Sequence, residues 1–334
     1  MKDSFLSRRR LAALFTVGAL ALTGCGASGS SAGGSAAGAA EADSAIRLTV
    51  FPSLNALGAR VAEADGFFED AHVKVELTPG PNAAAMVPQM IGGSIDIALM
   101  DIVTPTVARS QGVPLVMIAP AGVTTEPNKE LGRGFGNLFV RADSDIKSFK
   151  DLEGHSIGLP QINSQPWVDA RALVDAQGGD SSKLEFIEVP NTLAALEQGQ
   201  VDAITVPEPS GVLALGNEKL RLLGPVATED RVGRLDYGYV TTEDYLKKNP
   251  EKVRKFAEAI LKANEKANTD SANSLKVAEG FVDVDPKVLA KAVFPTMATE
   301  PVKAADLEAA VGRMARYGLV EDGLKGTIAA DMLK

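Results

Sequence analysis

The stretch HSIGLPQINSQPWVDARALVDAQGG, residues 155–179, predicts a short strand, a polar loop and a helix in immediate succession. After the loop, apolar residues recur every three or four positions, Pro166 suits a first helical turn, and Gly178-Gly179 end the helix. The first N–H groups of a helix have no intrahelical partner and favour negative charge. The loop of residues 161–165 is therefore a candidate cradle for an anion or a polar ligand, although most strand–helix junctions bind nothing.

The N-terminus has the features of a bacterial lipoprotein signal. Arg8-Arg9-Arg10 precede an apolar run from Leu11 to Leu22 that is too short to span a bilayer as a stable helix. The next residues complete a lipobox that ends at Cys25, the only cysteine of the chain. We therefore expect a signal peptide over residues 1–24 and a lipid on Cys25. The alternative is an incidental thiol within a cleaved signal peptide. The arginines before the apolar run are loosely twin-arginine-like, which leaves both the Sec and the Tat export routes open.

Residues 26–40 consist of Gly, Ala and Ser, a composition that cannot bury a core. They predict a flexible tether over residues 25–44. A single cysteine leaves no disulfide to form. The formal net charge of −9 argues against nucleic acid as a partner. We expect an exported protein on the outer face of the cytoplasmic membrane, in the cell envelope or periplasm, held there by the lipid on Cys25 and by no spanning helix.

From Ile46 onward, short apolar strands alternate with helices, which predicts a mostly parallel sheet with helices on both faces. Residues 122–136 are rich in Gly and polar residues and predict a loop or a lid. After a return strand the pattern is helical to the end of the chain, with starts at Asn249 and Asp285. The expected strands are residues 46–51, 73–77, 95–100, 115–119, 137–140, 157–159, 184–189, 203–206, 220–223 and 238–241.

The two halves of the chain repeat one pattern. In each half a helix ends at a glycine, and a segment containing an aspartate leads into a strand, as at Asp96 and at Asp202. The repetition predicts two equivalent α/β lobes joined by crossovers near Val140 and Tyr239. We place lobe I at residues 45–139 plus 238–334 and lobe II at residues 140–237.

Several segments together resemble the nitrate/sulfonate/taurine-type solute-binding proteins of ABC transporters, in the thiamine-precursor-synthase-like superfamily. These segments are Pro79-Gly80-Pro81-Asn82, Gly93-Ser94-Ile95-Asp96-Ile97-Ala98, Pro105-Thr106-Val107-Ala108, Gly112-Val113-Pro114-Leu115 and Ile146-Lys147-Ser148-Phe149-Lys150-Asp151-Leu152-Glu153-Gly154. No single segment is specific for this family, but the order and spacing of the segments together are. The resemblance covers roughly residues 46–319. The resemblance implies an α/β, type II periplasmic-binding-protein fold with two lobes that close by hinge motion on a small ligand.

In that family the ligand lies between the lobes, at strand ends and helix N-termini. The resemblance implies ligand-binding residues in both lobes: Ser53, Asn55, Gly80, Asn82, Asp101 and Thr104 in lobe I, and Gln161, Asn163, Ser164, Asn191 and Glu208 in lobe II. Glu208 stands where the family has the Asp of an aromatic-Asp-Pro turn, so its carboxylate either faces the cleft or is a solvated loop charge. Trp167, the only tryptophan, either packs in the core of its lobe, which we favour, or contacts the ligand.

Three functions are open at this stage. The first is a monomeric binding protein with the permease and ATPase subunits of an ABC importer as partners, without cofactor, metal or catalysis. The second is an enzyme on the same fold, because the eukaryotic pyrimidine synthases of thiamine biosynthesis resemble this family. Those enzymes use a cysteine-rich segment and a histidine, whereas His72 and His155 are expected at strand ends away from the cleft. The third is a ligand-binding module that serves a sensor.

The expected ligand is a small anionic or zwitterionic solute of the sulfonate, taurine or nitrate kind. No Arg or Lys falls at an expected cleft position except Arg133 in the long loop, so helix N-termini and hydroxyls would hold an anion. If Glu208 faces the cleft, a taurine-like zwitterion, or a heterocycle with N–H donors such as a thiamine precursor, fits better than nitrate.

Overall fold

The computed structural model describes residues 44–333. The predicted signal peptide, the predicted lipidation site Cys25 and nearly all of the predicted tether lie outside these residues. No helix within residues 44–333 combines the length and the apolar character that are needed to cross a membrane.

Within residues 44–333, twelve strands form two five-stranded sheets and one two-stranded ribbon. The strands are β1 (Ile46–Val50), β2 (Val75–Pro79), β3 (Ile97–Asp101), β4 (Leu115–Pro120), β5 (Gly122–Val123), β6 (Gly136–Arg141), β7 (Ser156–Leu159), β8 (Glu185–Glu188), β9 (Ala203–Pro207), β10 (Leu220–Pro225), β11 (Tyr237–Thr242) and β12 (Thr296–Met297). Sheet I has the order β2-β1-β3-β11-β4, sheet II has the order β10-β6-β9-β7-β8, and β5 pairs with β12. Every predicted strand is present. We call the parts of the chain built on these sheets lobe I and lobe II.

Helices follow most strands, as the alternating pattern predicts. They are α1 (Leu57–Ala64), α2 (Phe67–Asp70), α3 (Ala83–Ile91), α4 (Val103–Ser110), α5 (Gln165–Ala176), α6 (Thr192–Glu197), α7 (Ser210–Leu215), α8 (Glu243–Lys248), α9 (Pro250–Thr269), α10 (Ser271–Glu279), α11 (Pro286–Leu289), α12 (Ala304–Arg316) and α13 (Lys325–Asp331). The pattern does not anticipate α7, because six residues are too few to show a helical period.

Four of the five strands in each sheet run in one direction, as the prediction of a mostly parallel sheet requires, and one strand in each runs the other way. In sheet I, β2, β1 and β3 run parallel, and β11 is antiparallel to β3 and β4. In sheet II, β8, β7 and β9 run parallel, and β6 is antiparallel to β9 and β10. The antiparallel strand of each sheet is the first one that the chain forms after it crosses from the other sheet. The alternation of strands and helices in the sequence cannot reveal which strand is antiparallel, because it shows only which elements are neighbours along the chain.

The predicted repetition of the two halves is visible at the start of β3 and of β9. The Arg47 N–H donates to Asp96 Oδ2 over 2.8 Å, and the Ser156 N–H donates to Asp202 Oδ2 over 2.9 Å. In return, the Asp96 N–H donates to the backbone carbonyl of Arg47, and the Asp202 N–H donates to the backbone carbonyl of Ser156. The same pair of hydrogen bonds thus joins β1 to the segment before β3 in lobe I and β7 to the segment before β9 in lobe II.

A continuous apolar cluster runs through both lobes and includes Met117 on β4 and Ile157 on β7. Trp167 belongs to it and is 6% exposed. Its ring lies 5.4 Å from that of Phe186, and the Arg171 guanidinium covers it at 4.3 Å. The structure therefore places Trp167 in the core rather than in a ligand site.

Two segments connect the sheets, residues 124–135 from β5 to β6 and residues 226–236 from β10 to β11. The predicted loop over residues 122–136 begins with β5, which pairs with β12 far along the chain. The lobe boundary at residue 139 falls inside β6, and the boundary at residue 237 falls on the first residue of β11. The exact domain limits stay a prediction.

Candidate functional site between the two sheets

Gln161 joins the two lobes where the sequence predicts a ligand site. Its Oε1 accepts a hydrogen bond from the Ala84 N–H in the first turn of α3 over 3.0 Å, and its Nε2 donates to Thr104 Oγ1 over 2.9 Å. Ser164 Oγ donates to the backbone carbonyl oxygen of Gln161 over 2.7 Å. Three predicted residues, Thr104, Gln161 and Ser164, are thus in contact, and an amide of lobe II binds the N-terminus of α3.

Asp101 lies at the end of β3 and belongs to the same network. Its Oδ1 accepts hydrogen bonds from the N–H groups of Val103, Thr104 and Gln165 over 3.0, 3.0 and 3.2 Å. Its Oδ2 accepts from Thr104 Oγ1 over 2.7 Å. Burial raises the pKa of Asp101, although these hydrogen bonds favour the charged form. The carboxylate caps α4 and links it to the first residue of α5.

The other predicted residues of lobe I lie close to these strand ends but have local roles. Asn82 caps α3, with its Oδ1 accepting from the Ala85 N–H over 2.9 Å. Gly80 is packed so closely that a Cβ would lie 2.5 Å from Thr49 Cγ2. Ser53 Oγ and Asn55 Oδ1 are buried without a hydrogen-bond partner among the described residues.

Two predicted residues of lobe II lie at the surface. Asn163 is exposed and has a φ of 57°, a left-handed conformation that asparagine tolerates better than most residues. Asn191 is exposed and caps α6, because its Oδ1 accepts from the Ala194 N–H over 3.1 Å. Both residues shape turns and do not line the cavity described below.

Glu208 is fully buried, which excludes the solvated loop charge, and it is not among the residues that line the cavity. It forms an ion pair with Arg133, and its Oε2 accepts from the Val212 N–H over 2.8 Å. Burial raises the pKa of Glu208, and the Val212 N–H and Arg133 oppose that effect. Arg133 also donates to the Lys291 carbonyl oxygen. The pair holds lobe II against the C-terminal part of the chain and leaves neither charge for a ligand.

A cavity with a mixed apolar and polar wall lies beside the Gln161 network, where the two connecting segments meet the start of α5 and the end of β9. Its water-accessible volume is about 70 Å³. Apolar contact comes from Phe135, Val226 and Tyr237. The polar side chains in its wall include Thr124, Gln165, Asp169, Thr205, Arg231 and Asp236.

Arg231 lies between two carboxylates in the wall of this cavity. Its Nη1 donates to Asp169 Oδ1 over 2.7 Å, and its Nη2 is paired with Asp236. Thr124 Oγ1 accepts from Arg231 Nη2 over 2.7 Å and donates to Asp236 Oδ2 over 2.7 Å. Burial raises the pKa of Asp169, and the positive charge of Arg231 acts in the opposite direction. The cluster holds more carboxylates than guanidinium groups and uses the donors of Arg231 internally.

Two polar atoms of the cavity residues lack partners. Gln165 is 3% exposed and Thr205 is 5% exposed. Among the described residues, neither Gln165 Oε1 nor Thr205 Oγ1 has a hydrogen-bond partner. A buried polar atom without a partner costs about 1–3 kcal/mol, and both atoms are enclosed by other protein atoms rather than open to the cavity.

The sequence reasoning missed most of this cavity. Gln165 and Asp169 are four residues apart at the start of α5, a spacing that places both on one helix face. That signal could have been used. Arg231 and Asp236 lie in a connecting segment without periodicity, and only the tertiary fold brings them against α5.

The two histidines lie outside the cavity wall. His72 is exposed in a turn before β2, and His155 Nδ1 lies 3.4 Å from Asp202 Oδ2 beside β7. Within residues 44–333, no group of His, Cys, Asp and Glu side chains has the arrangement of a metal site.

Comparison with known proteins places this chain in a family. The 4-amino-5-hydroxymethyl-2-methylpyrimidine phosphate synthase THI13 of Saccharomyces cerevisiae is 23% identical over 241 residues, 68% of this chain and 67% of the relative. The taurine-binding periplasmic protein of Escherichia coli is 27% identical over 230 residues, 66% of each chain. The periplasmic nitrate-binding protein NrtA from Synechocystis PCC 6803 superposes with a TM-score of 0.72 at 13% identity, covering 87% of this chain and 86% of that one.

The superposition confirms the predicted periplasmic-binding-protein fold. A family model described as "NMT1/THI5 like" matches residues 53–272, which contain the start of α5, the end of β9 and both connecting segments. Because this match covers more than half of the chain, the protein belongs to the NMT1/THI5-like family.

Proposed function

We propose that this protein is the extracytoplasmic solute-binding protein of an ABC importer and that it captures a small polar solute in the cavity between its lobes. The observation that carries the proposal is the cavity at the lobe junction, whose wall includes Gln165, Asp169, Thr205 and Arg231. A solute that contacts both lobes in this cavity would stabilise the closed arrangement of the lobes, because it binds that arrangement better than an open one.

The comparisons support transport as the context of binding. A taurine-binding and a nitrate-binding periplasmic protein share the fold, and both names describe capture of a small solute outside the cytoplasm. The permease and ATPase subunits of an importer are the partners that follow from this function.

A lipid on Cys25 would keep the monomeric protein at the membrane. Cys25→Ser should release the protein from the membrane fraction, and unchanged membrane association would refute the anchor.

We further propose that binding occurs without turnover and without a cofactor. The yeast relatives are named as synthases, so catalysis is the competing function. In this chain the only cysteine is Cys25, and neither histidine is in the cavity wall. The carboxylates in the wall are paired with Arg231, and the Thr124 hydroxyl beside Asp236 accepts from Arg231, which engages the oxygen that would have to act as a nucleophile. Chemical change in a bound solute during incubation with the purified protein would overturn this part of the proposal.

A thermal-shift screen tests the proposed function. The panel contains nitrate, bicarbonate, taurine, alkanesulfonates, hydroxymethylpyrimidines and riboflavin. A solute at a hundred times its Kd adds about 2.7 kcal/mol, a shift of a few degrees in Tm. Gln165→Met should abolish the shift, whereas Gln89→Met on the exposed face of α3 should preserve it. A shift that survives Gln165→Met unchanged would place the binding site elsewhere.

A further inference from the structure

The helices α12 and α13, near the end of the chain, are anchored on lobe I. Both pack against α4, which follows β3 of sheet I. The buried face of α12 consists of Leu307, Ala310, Val311 and Met314. After α13, the Met332 carbonyl oxygen accepts a hydrogen bond from the Met117 N–H of β4 over 2.8 Å. Arg109 of α4 lies 3.7 Å from Asp331 at the end of α13. The two helices are therefore part of lobe I.

The end of α12 also reaches α5 of lobe II. Arg316 Nη2 and the hydroxyl of Tyr317 both donate to Asp175 Oδ2, over 3.1 and 3.0 Å. Asp175 Oδ1 accepts from the Ser181 N–H of its own lobe over 3.1 Å. The Tyr317 ring meets the Trp167 ring edge to face, with the ring centres 6.4 Å apart. One carboxylate oxygen thus holds Asp175 in place on lobe II, while the other binds two donors of lobe I.

The same end of α12 contacts one of the two segments that connect the sheets. Arg313 lies three residues before Arg316, so both side chains leave the helix on one face. Arg313 Nη1 donates to Asp230 Oδ2 in the segment of residues 226–236 over 3.2 Å. Arg313, Arg316 and Tyr317 all lie outside the wall of the cavity described above. This helix end therefore joins lobe I to the connecting segment and to lobe II at a place separate from the proposed solute site.

We propose that α12 and α13 form a strap that holds lobe II against lobe I and favours the closed arrangement without any solute. The contact of Asp175 with Arg316 and Tyr317 is named the latch. The latch is present together with the hydrogen bond between Gln161 and Thr104 across the cleft, which assigns it to the closed arrangement. A rotation that moves α5 about 1 Å away from α12 would break the latch, because N–H···O hydrogen bonds extend to about 3.2 Å.

Spin labels on exposed residues of the two lobes test the strap in the full purified protein without added solute. Arg316→Gln combined with Tyr317→Phe removes the charge and the hydroxyl but keeps the ring against Trp167. The ratio of long to short distances between the labels should rise about two- to fivefold, as expected for the loss of one or two exposed polar contacts. Arg254→Gln is the control, because the exposed Arg254 forms its ion pairs within α9. Unchanged or shortened distances in the double variant would overturn the inference.

Salt provides a second test that does not depend on the folding of a variant. Arg316 is 62% exposed, so its ion pair with Asp175 is open to screening. At about 1 M salt the Debye length falls to about 3 Å, and the unmodified protein should shift toward longer distances between the labels. The double variant, which lacks the ion pair, should respond less. No response of the unmodified protein, or an equal response of both proteins, would overturn the inference.

Discussion

Gln161 Nε2 in lobe II lies 2.9 Å from Thr104 Oγ1 in lobe I, so one side chain spans the cleft between the lobes. The same amide accepts the Ala84 N–H at the start of α3 over 3.0 Å. This helix N-terminus is a position that the sequence offers to a ligand, yet here it is bound by the protein itself. The closed arrangement therefore has hydrogen bonds of its own, in addition to whatever a solute contributes.

Gln161→Ala should shift the protein toward open conformations. The variant loses two hydrogen bonds between the lobes, about 1–3 kcal/mol together, and keeps each lobe intact. Distances between spin labels on the two lobes should lengthen or broaden. Gln89→Ala, an exposed glutamine whose Nε2 bonds only within α3, should leave the distances unchanged. Identical distance distributions for Gln161→Ala and the unmodified protein would contradict a role for Gln161 in closure.

Gly80→Ala should destabilise lobe I by about 1–3 kcal/mol, the usual effect of overpacking. The added Cβ would lie 2.5 Å from Thr49 Cγ2 and 2.8 Å from Met86 Sδ. Thr49→Ser removes that methyl group and keeps the hydroxyl, so the double variant should recover a large part of the loss. The free energy of unfolding in urea measures each step. A Gly80→Ala variant as stable as the unmodified protein would show that packing against Thr49 and Met86 does not require glycine here.

Arg133→Met should cost about 3–5 kcal/mol, because it leaves the fully buried Glu208 without its counter-charge. The double variant with Glu208→Gln should be more stable than Arg133→Met, since glutamine can still accept from the Val212 N–H. Chemical unfolding of Arg133→Met, Glu208→Gln and the double variant gives the coupling energy. A loss below 1 kcal/mol for Arg133→Met would mean that the pair does not hold the lobes together.

Ser156→Ala should make the free energy of unfolding less dependent on pH between pH 7 and pH 3. Burial would raise the pKa of Asp202, but hydrogen bonds from the Ser156 N–H and Oγ and the contact with His155 outweigh it, so the pKa lies below its usual 3.8. A lowered carboxylate pKa stabilises the fold above the unfolded value and loses that effect as pH falls through the folded value. Removing the Ser156 hydroxyl should therefore lower the free energy of unfolding more at pH 7 than at pH 3.

The expected loss at pH 7 is below about 1 kcal/mol, because the Asp202 side chain is 39% exposed and screened by solvent. Unfolding curves at both pH values measure it. Ser182→Ala is the matched control, since Ser182 Oγ donates to the exposed Asp180 in the same way. Equal losses for Ser156→Ala at pH 7 and pH 3 would count against the proposed link between this hydrogen bond and acid stability.

Part of the candidate site could be predicted from local patterns. Thr104, Gln161 and Ser164 do meet, because each follows a strand end and the fold brings these ends together. Glu208 could not be assigned from its turn, since its environment depends on Arg133 in one connecting segment and on Lys291 far along the chain. Asn163 has a local role that the loop pattern does not indicate, because its positive φ serves the turn itself.

By itself, the sequence determined the order of strands and helices, the repetition of the two lobes and the family pattern, because these depend on spacing along the chain. The tertiary structure alone decided which strand inserts antiparallel into each sheet and which charges meet. Arg231, Asp169 and Asp236 come from segments with no common period, and their pairing follows from the way the two connecting segments pack against α5. Contacts between distant segments depend on packing and desolvation, which no local pattern of residues encodes.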